Sequence, residues 1–478
     1  MNLFNTLSRE IEPFQPIEEG KVGIYTCGPT VYNYAHIGNL RTYIGEDILV
    51  KAFLAFGYDV KRVMNITDVG HLESDADDGE DKLLKGAKRE NKSIREIADY
   101  YEDVFFRDCE KLNIMAPDVK VRATDCIDRY IAFVKSLEDK GYTYFANGNV
   151  YFDITKFPKY TELSRAELDS QRAASREEVS VDEHKRNVQD FVLWFTRSKF
   201  ENQAMKWDSP WGTGYPGWHL ECSVIALDNL GKNLDIHCGG VDHIAIHHTN
   251  EIAQTESYTG EKWVNYWWHG EFLIDEGGKM SKSSGEFVNL DLLIKKGYDP
   301  LAYRYYVLGS HYRRQLAFNF EKLDQAAAAY RKLRERCAKI AEAARMDREN
   351  GMHTEVADFG AAQPYVDRFH DALADDLNTA NAMTELYHLL KADCSDVEKA
   401  GAIAAMDRVL SLSLTEPYVG GEEDPAFVEK VEALISARAA AKAEKNYAEA
   451  DRIRDELTAM DVVLKDGKDG TSWQRLIK

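Results

Sequence analysis

The chain has 478 residues, 44% of them hydrophobic and 11% aromatic, which excludes a disordered polymer and gives enough apolar material for roughly three domains. Its formal net charge of −21 excludes indiscriminate binding to phosphate backbones but leaves open one shaped RNA, read through local Lys and Arg clusters. No run approaches the ~18 apolar residues of a membrane span, and MNLFNTLSREIEPF lacks the basic-then-apolar pattern of a secretory leader, so a soluble, cytoplasmic protein without membrane contact is expected.

In chain order, KVGIYTCGPTVY (21–32) reads as a short strand broken at Cys27-Gly28-Pro29. A helix is predicted over 40–58, where Leu40, Tyr43, Ile44, Ile48, Leu49, Phe53 and Leu54 recur near helical spacing up to Gly57. YDVKRVMNITD (58–68) is the next strand, and the crossover is long enough for parallel pairing, so a nucleotide-binding α/β sheet opens here. The acidic stretch VGHLESDADDGEDK (69–82) reads as a solvated loop before the helix KSIREIADYYEDVFFRDCEKL. From about Met115 to Lys206 the elements become shorter and more polar, with strand-like YTYFANGNVYFDI and DFVLWFT, as expected of an insertion in the sheet domain. The sheet is expected to resume near Trp207, with a strand in NLDIHCGGVD and a helix in HHTNEIAQTES. FLIDEGGKMSKSSG reads as a mobile Gly-Lys loop, and beyond about Asn319 the chain is nearly all helical. No internal repeat of fixed period is present.

Two motifs carry phosphate chemistry. In HIGN (36–39), Gly38 at a helix start lets the backbone approach a phosphate, and His36 can donate to a phosphate oxygen; the alternative is an ordinary capped helix start. In KMSKS (279–283), Lys279 and Lys282 can reach triphosphate oxygens and hold the charge that develops as pyrophosphate leaves. The alternative, a solvated basic turn, is hard to reconcile with a second motif about 240 residues upstream. Together the two point to ATP-dependent activation of a carboxylate.

Seven cysteines, at 27, 109, 126, 222, 238, 337 and 394, form no CxxC pair and suggest no disulfide framework. Two of them join a candidate metal set. His247 and Glu251 stand at i and i+4 of a predicted helix and so share a face, while Cys27 and Cys222 lie where a parallel sheet converges. Two thiolates, an imidazole and a carboxylate suit zinc better than calcium or magnesium. The spacing is no finger or ribbon pattern, so a surface His–Glu pair with two core cysteines remains the alternative.

CGPTVY with HIGN, NITD (65–68), GWHLECS, HHTNEIAQ, KMSKS, and the late EADRIRDEL with GTSW resemble the cysteinyl-tRNA synthetases, a class I family, from about residue 20 onward. The resemblance implies an α/β Rossmann-type parallel-sheet catalytic domain (1–115 and 207–275) with an inserted connective peptide (116–206). A KMSKS and stem-contact region (276–318) and an all-α anticodon-binding domain (319–478) would follow. It implies one Zn2+ per chain on Cys27, Cys222, His247 and Glu251. ATP, with Mg2+, would be held by Pro29, His36, Gly38, Asn39, Lys279, Met280, Ser281, Lys282 and Ser283, of which His36, Asn39, Lys279 and Lys282 are the catalytic group. L-cysteine would be bound by Thr67, Trp218, His237 and Asp242, with Asp242 facing the ammonium and Gly239 and Gly240 close by. Core packing is the alternative for Trp218. The implied reaction forms a cysteinyl-adenylate and passes the cysteinyl group to cysteine tRNA, with the metal selecting a thiol over the serine hydroxyl and no editing domain.

Three departures from the family pattern stand out: Asn39 where a final His is usual, the expanded 69–82 passage, and Ala245-Ile246 in place of an apolar residue and proline. Two rival readings stand beside this one. A related ligase joining cysteine to an amino sugar lacks an anticodon domain, whereas about 160 C-terminal residues are present here. A catalytically silent RNA-binding relative is at odds with intact Lys279, Lys282 and four metal-ligand candidates. A monomer is favoured, and Arg452, Arg454, Trp473 and Arg475 are candidates for anticodon contact, or else members of a salt-bridged helix face.

Overall fold

The computed structural model describes residues 1–69, 90, 92–165, 184–197, 205–275, 278–279, 288–349, 359–418, 425–443, 446–460, 462–467 and 470–475. The acidic passage beyond residue 69 and Met280, Ser281, Lys282 and Ser283 of the second motif lie outside them.

An N-terminal ribbon of β1 (Asn2–Asn5) and β2 (Glu10–Pro13) precedes the unit foreseen from the sequence. That unit is β3 (Lys21–Thr26), α1 (Ile37–Ala55) and β4 (Asp59–Ile66), with β3 and β4 parallel. α1 has buried residues around most of its circumference, from Ile37 to Phe53, because it is wedged between the sheet and later helices. Gly57, at φ +84°, turns the chain out of α1 into β4, a conformation open to glycine.

α2 (Ile94–Lys111) begins at a capping box in which the Ser93 hydroxyl accepts from Glu96 N and the Glu96 carboxylate accepts from Ser93 N. β5 (Val119–Arg122) then joins β4 in parallel. The sheet strand thus lies beyond the boundary drawn at residue 115; its four residues, VKVR, are too short and charged to announce a core strand.

The insertion builds its own layer. α3 (Ile127–Asp139) packs beside an antiparallel sheet of β6 (Thr143–Ala146), β7 (Asn149–Phe152), β8 (Phe191–Phe195) and β9 (Tyr215–Pro216). Because β9 pairs with β8, the insertion's sheet also reaches past the boundary drawn at 206. The parallel sheet resumes after α4 (His219–Leu230), with β10 (Leu234–Gly240), α5 (His247–Thr259) and β11 (Val264–Gly270). Its strand order is β11-β10-β3-β4-β5. The chain therefore reverses direction across the sheet between β10 and β3, and ligand crevices in open α/β sheets form at the carboxyl ends of strands flanking such a reversal.

β12 (Leu273–Asp275) pairs with β13 (Gly278–Lys279) and, in parallel, with β14 (Leu316–Ala317). Before β14 come α6 (Leu290–Lys295) and α7 (Pro300–Leu308); after it come α8 (Phe320–Glu349), α9 (Gln363–Ala374), α10 (Thr379–Lys391) and α11 (Asp396–Leu410). One hydrophobic core runs from the sheet through α1 into these helices, including Ile44, Ile48, Tyr303, Leu308, Leu373 and Met406. α12 (Pro425–Ala443) and α13 (Tyr447–Ala459) share a separate small core around Val431, Ile453 and Leu457. The helical expectation holds for this region with one local correction: β15 (Val462–Gly467) and β16 (Gly470–Arg475) pair as an antiparallel hairpin. Val462, Val463, Thr471 and Trp473 supply the β-branched and aromatic residues for it. Among the described residues no helix is long and apolar enough to cross a membrane.

Candidate active site

Chain reversal in the sheet brings the sequence-distant motifs to one edge. Cys27 follows β3 directly, Cys222 sits in the first turn of α4, and His247 and Glu251 lie one turn apart on α5. One ligand atom from each of these four falls within 4.8 Å of the others. The same holds for Cys27, His237, His248 and Glu251, an overlapping set whose members are all buried. The His247 side chain keeps 14% exposure, so only the first set has a member reachable from outside. It is also the set with two thiols.

Electrostatics in this pocket is dominated by burial. Glu251 is fully buried, and burial alone would favour its neutral form. His237 Nε2 at 2.6 Å and His247 Nε2 at 2.7 Å, one on each carboxylate oxygen, overcome that cost and hold the group well below the ordinary carboxylate range. Cys27 and Cys222 hydrogen-bond each other, an interaction that favours the Cys27 thiolate; burial and the Glu251 charge outweigh it and push the Cys27 thiol up to about 12. Burial likewise raises Cys222. A bound divalent cation inverts this logic, since a coordinating thiol is deprotonated. The donor set therefore fits zinc: soft sulfur, one imidazole and one carboxylate around a common centre.

Imidazoles surround the set. His237, on β10, stacks on Trp267 at 4.8 Å and holds Glu251, so in this arrangement it supports a ligand candidate. His248 lies 3.5 Å from Cys27 Sγ and 2.8 Å from His269, whose other ring nitrogen meets Thr6 Oγ1 at 2.7 Å. Burial, and then the neighbouring histidines, depress His248 well below the usual imidazole value. Gly239 has to be glycine for this cage to close, because a Cβ there would stand 2.6 Å from His243 Nδ1 and 2.7 Å from His248 Cε1.

The substrate-side candidates occupy the same edge. Thr67 is buried, its hydroxyl donating to Glu221 at 2.8 Å, and its backbone bridges Pro29 and Val31. Asn65 Nδ2 donates to the same carboxylate at 2.8 Å. Burial, only partly offset by those bonds, lifts the Glu221 carboxyl to about 7. Trp218 is buried at the start of α4 against Val69 and Ala123, and Asp242 is exposed on the turn that ends β10. The sequence reading missed Asn65, Glu221 and His248 as site-building residues. NITD, GWHLECS and the doubled His of HHTNE were quoted for their outlines, and those outlines contain them.

At the signature helix, His36 is the N-cap of α1. Its Nδ1 accepts from Gly38 N at 3.0 Å, and Asn39 Oδ1 accepts from His36 N at 3.2 Å, closing a capping box. Ile37 N donates to Val288 O at 3.0 Å. The departure at Asn39 thus has a structural use here. Arg41, buried, ties this helix to the second motif's approach by donating to the Glu271 carbonyl at 2.7 Å and to those of Phe272 and Arg314. Of KMSKS only the backbone of Lys279, in β13, is described.

The family model described as "tRNA synthetases class I (C) catalytic domain" matches residues 13–328. A cysteine–tRNA ligase of Treponema denticola is 48% identical over the full length of both chains, and one of Borreliella burgdorferi is 44% identical over 99% of each. The chain belongs to the cysteine–tRNA ligase family. Two more models match the helical part of this family member, the "DALR domain" at 368–410 and the "Cysteinyl-tRNA ligase anticodon binding domain" at 424–473. Among solved structures, a Mycobacterium tuberculosis methionyl-tRNA synthetase with methionyl-adenylate aligns at TM-score 0.55 and 16% identity, covering 83% of this chain and 91% of that one, a likeness of fold.

In the anticodon-binding region, Arg452 pairs with Glu449 and Glu456, Arg454 with Asp451, and Trp473 Nε1 donates to Glu432 at 2.6 Å. The alternative of a salt-bridged face therefore describes both arginines in this structure. The Arg475 side chain lies outside the described residues.

Proposed function

We propose that the protein is a cytoplasmic enzyme that joins L-cysteine to cysteine tRNA in two steps, activating the amino acid with Mg-ATP and then transferring it to the tRNA's terminal ribose. The observation that carries this reading is the convergence of Cys27, Cys222, His247 and Glu251 at the sheet's carboxyl edge. Zinc held by those four residues would supply a soft anchor for the substrate's sulfur, which a serine hydroxyl satisfies poorly.

The chain's own residues account for the rest by position and charge. Glu251 is oriented by His237, which bonds its Oε2 at 2.6 Å, so with His247 it offers the metal a ligand of fixed direction. Thr67, fixed by Glu221, and buried Trp218 shape the wall for the amino acid, whose ammonium would be met by Asp242. The carboxylate of cysteine attacks the α-phosphate and pyrophosphate leaves. His36, Gly38 and Asn39 at the start of α1 meet the nucleotide beside Pro29, and Lys279 and Lys282, with Met280, Ser281 and Ser283, hold the charge that develops. No protein nucleophile is required. The tRNA is read by the helical region from residue 319 onward, and its stem is met by the region 276–318.

The test is charging of a cysteine tRNA transcript by the purified protein with ATP, with serine as competing substrate and an amino sugar as competing acceptor. Cysteine-specific charging of the tRNA is expected. Transfer to the amino sugar alone, or no product in any reaction, would overturn the reading.

A further inference from the structure

At the far end of α1 from the HIGN motif lies a buried polar cluster that the proposed chemistry does not use. Arg304, on α7, is fully buried and bonds four ways: to Asp47 Oδ2 at 2.6 Å, to the carbonyls of Leu112 and Asn113 at 3.0 and 3.4 Å, and to the Leu410 carbonyl at 2.6 Å. Lys51, one turn beyond Asp47, bonds the same carboxylate oxygen at 2.7 Å, Asn113 O at 2.6 Å and Ser411 Oγ at 2.8 Å. Asp47's second oxygen accepts from Met115 N at 2.8 Å. The cluster therefore ties together α1, the end of α2, α7 and the end of α11.

Its backbone is unusual as well. Asn113, Ser411 and Ser413 all have φ of +53°, where residues with a Cβ are rarely found. The Asn113 amide donates to Ser411 O at 3.0 Å and to Ser413 Oγ at 3.3 Å, and Asp407 accepts from Leu412 N and Leu414 N at 2.7 and 2.8 Å, so the left-handed turns are held from both sides. Strained turns that meet around a buried ion triad are over-determined by their surroundings, and such places repay a functional question.

We infer that Arg304, Asp47 and Lys51 are positioning residues that fix the helical region relative to the signature helix, so that they govern charging of the tRNA and leave amino-acid activation alone. The inference rests on the tRNA-charging reading above. Activation needs the groups at the sheet edge, the start of α1 and the second motif, none of which the cluster bonds. Charging needs a long RNA held at the helical region while its end reaches the N-terminus of α1, about 16 Å along that helix from Asp47. Arg304 and Lys51 join the two through groups that admit one geometry, because each buried donor has a fixed acceptor.

Variants Arg304→Met and Lys51→Met are compared with wild type in cysteine-dependent ATP–pyrophosphate exchange and in tRNA charging. Exchange within twofold of wild type is expected, with an unchanged KM for cysteine. For charging, kcat/KM for tRNA is expected to fall about tenfold or more. Should Arg304→Met fail to fold, Lys51→Met and Ser411→Ala, which remove one arm each and leave the Arg304–Asp47 pair intact, decide the matter. Equal losses in both assays, or no loss in either, would overturn the inference. Wild-type protein that exchanges pyrophosphate but charges no tRNA would instead refute the functional reading on which it rests.

Discussion

Gly28→Ala is the most informative single-atom change at the site. A Cβ at this position would stand 1.7 Å from the Asn65 carbonyl oxygen, 2.8 Å from its carbon and 2.9 Å from Met64 Cγ. Because two of those atoms are backbone of a central strand, relief requires β3 and β4 to part by about 1.5 Å at their carboxyl ends, the kind of overpacking that costs ~1–3 kcal/mol. The bond from Gly28 N to Asn65 Oδ1, 2.7 Å, would be lost as well, bringing the total to ~2–4 kcal/mol. The displacement falls between Cys27 and the Asn65–Thr67–Glu221 group, and a misplacement of ~1 Å can cost ~10²-fold in rate. The variant should therefore melt several degrees lower and lose about two orders of magnitude in cysteine-dependent pyrophosphate exchange. A variant that melts and exchanges like wild type would refute the packing argument and the role given to this strand junction.

Three further outcomes are expected. Cys222→Ser should be purified without bound zinc, by elemental analysis against wild type, and without cysteine activation; retained zinc with normal kinetics would sink the ligand assignment. Asn39→Ala removes half of the α1 capping box and should lower stability by ~1 kcal/mol in urea titrations. Burial, only partly offset by Lys111, raises the Asp108 carboxyl to about 6, so the folded state holds a proton that the unfolded chain has released from about pH 4 upward. This contribution is present at low pH and is lost as pH rises through about 6. Asp108→Asn should flatten that slope and gain on the order of 1 kcal/mol at pH 7 relative to wild type; an unchanged difference between urea midpoints at pH 5 and pH 7 would contradict it.

The strand-helix-strand unit at the front of the chain was legible because its apolar runs have clear stops: the apolar run of α1 ends at Gly57, and β4 follows within a few residues. β5 was not, since VKVR derives its place from pairing with β4 and not from its own hydrophobicity. The closing hairpin was hidden in the same way, by short strands in a charged context. At the site, residue types at helical spacing pointed to His247 and Glu251 together, and the break after β3 pointed to Cys27. What the chain alone could not give is depth. His237, expected beside the substrate, bonds Glu251 and stacks on Trp267, a contact that only three-dimensional packing discloses. Glu221 is one residue from Cys222 and points to Thr67 from the far side of α4's first turn, a relation that sequence adjacency does not disclose. Arg304 and Lys51 lie far apart in the sequence, and only the fold puts Asp47 between them.

Cys27 comes before the insertion, and Cys222, His247 and Glu251 come after it. A cation gripped by all four would therefore be a cross-link that closes the whole span from 27 to 222, comparable in the chain-entropy description to a disulfide worth about 5 kcal/mol against the unfolded ensemble. The inserted layer then hangs from a loop whose two ends are pinned at the same point, so its own breathing or lengthening need not loosen the catalytic edge. By the same token, chelation would unfasten the two halves of the sheet domain together, and proteases should find the insertion's junctions more easily in the stripped protein than in the loaded one.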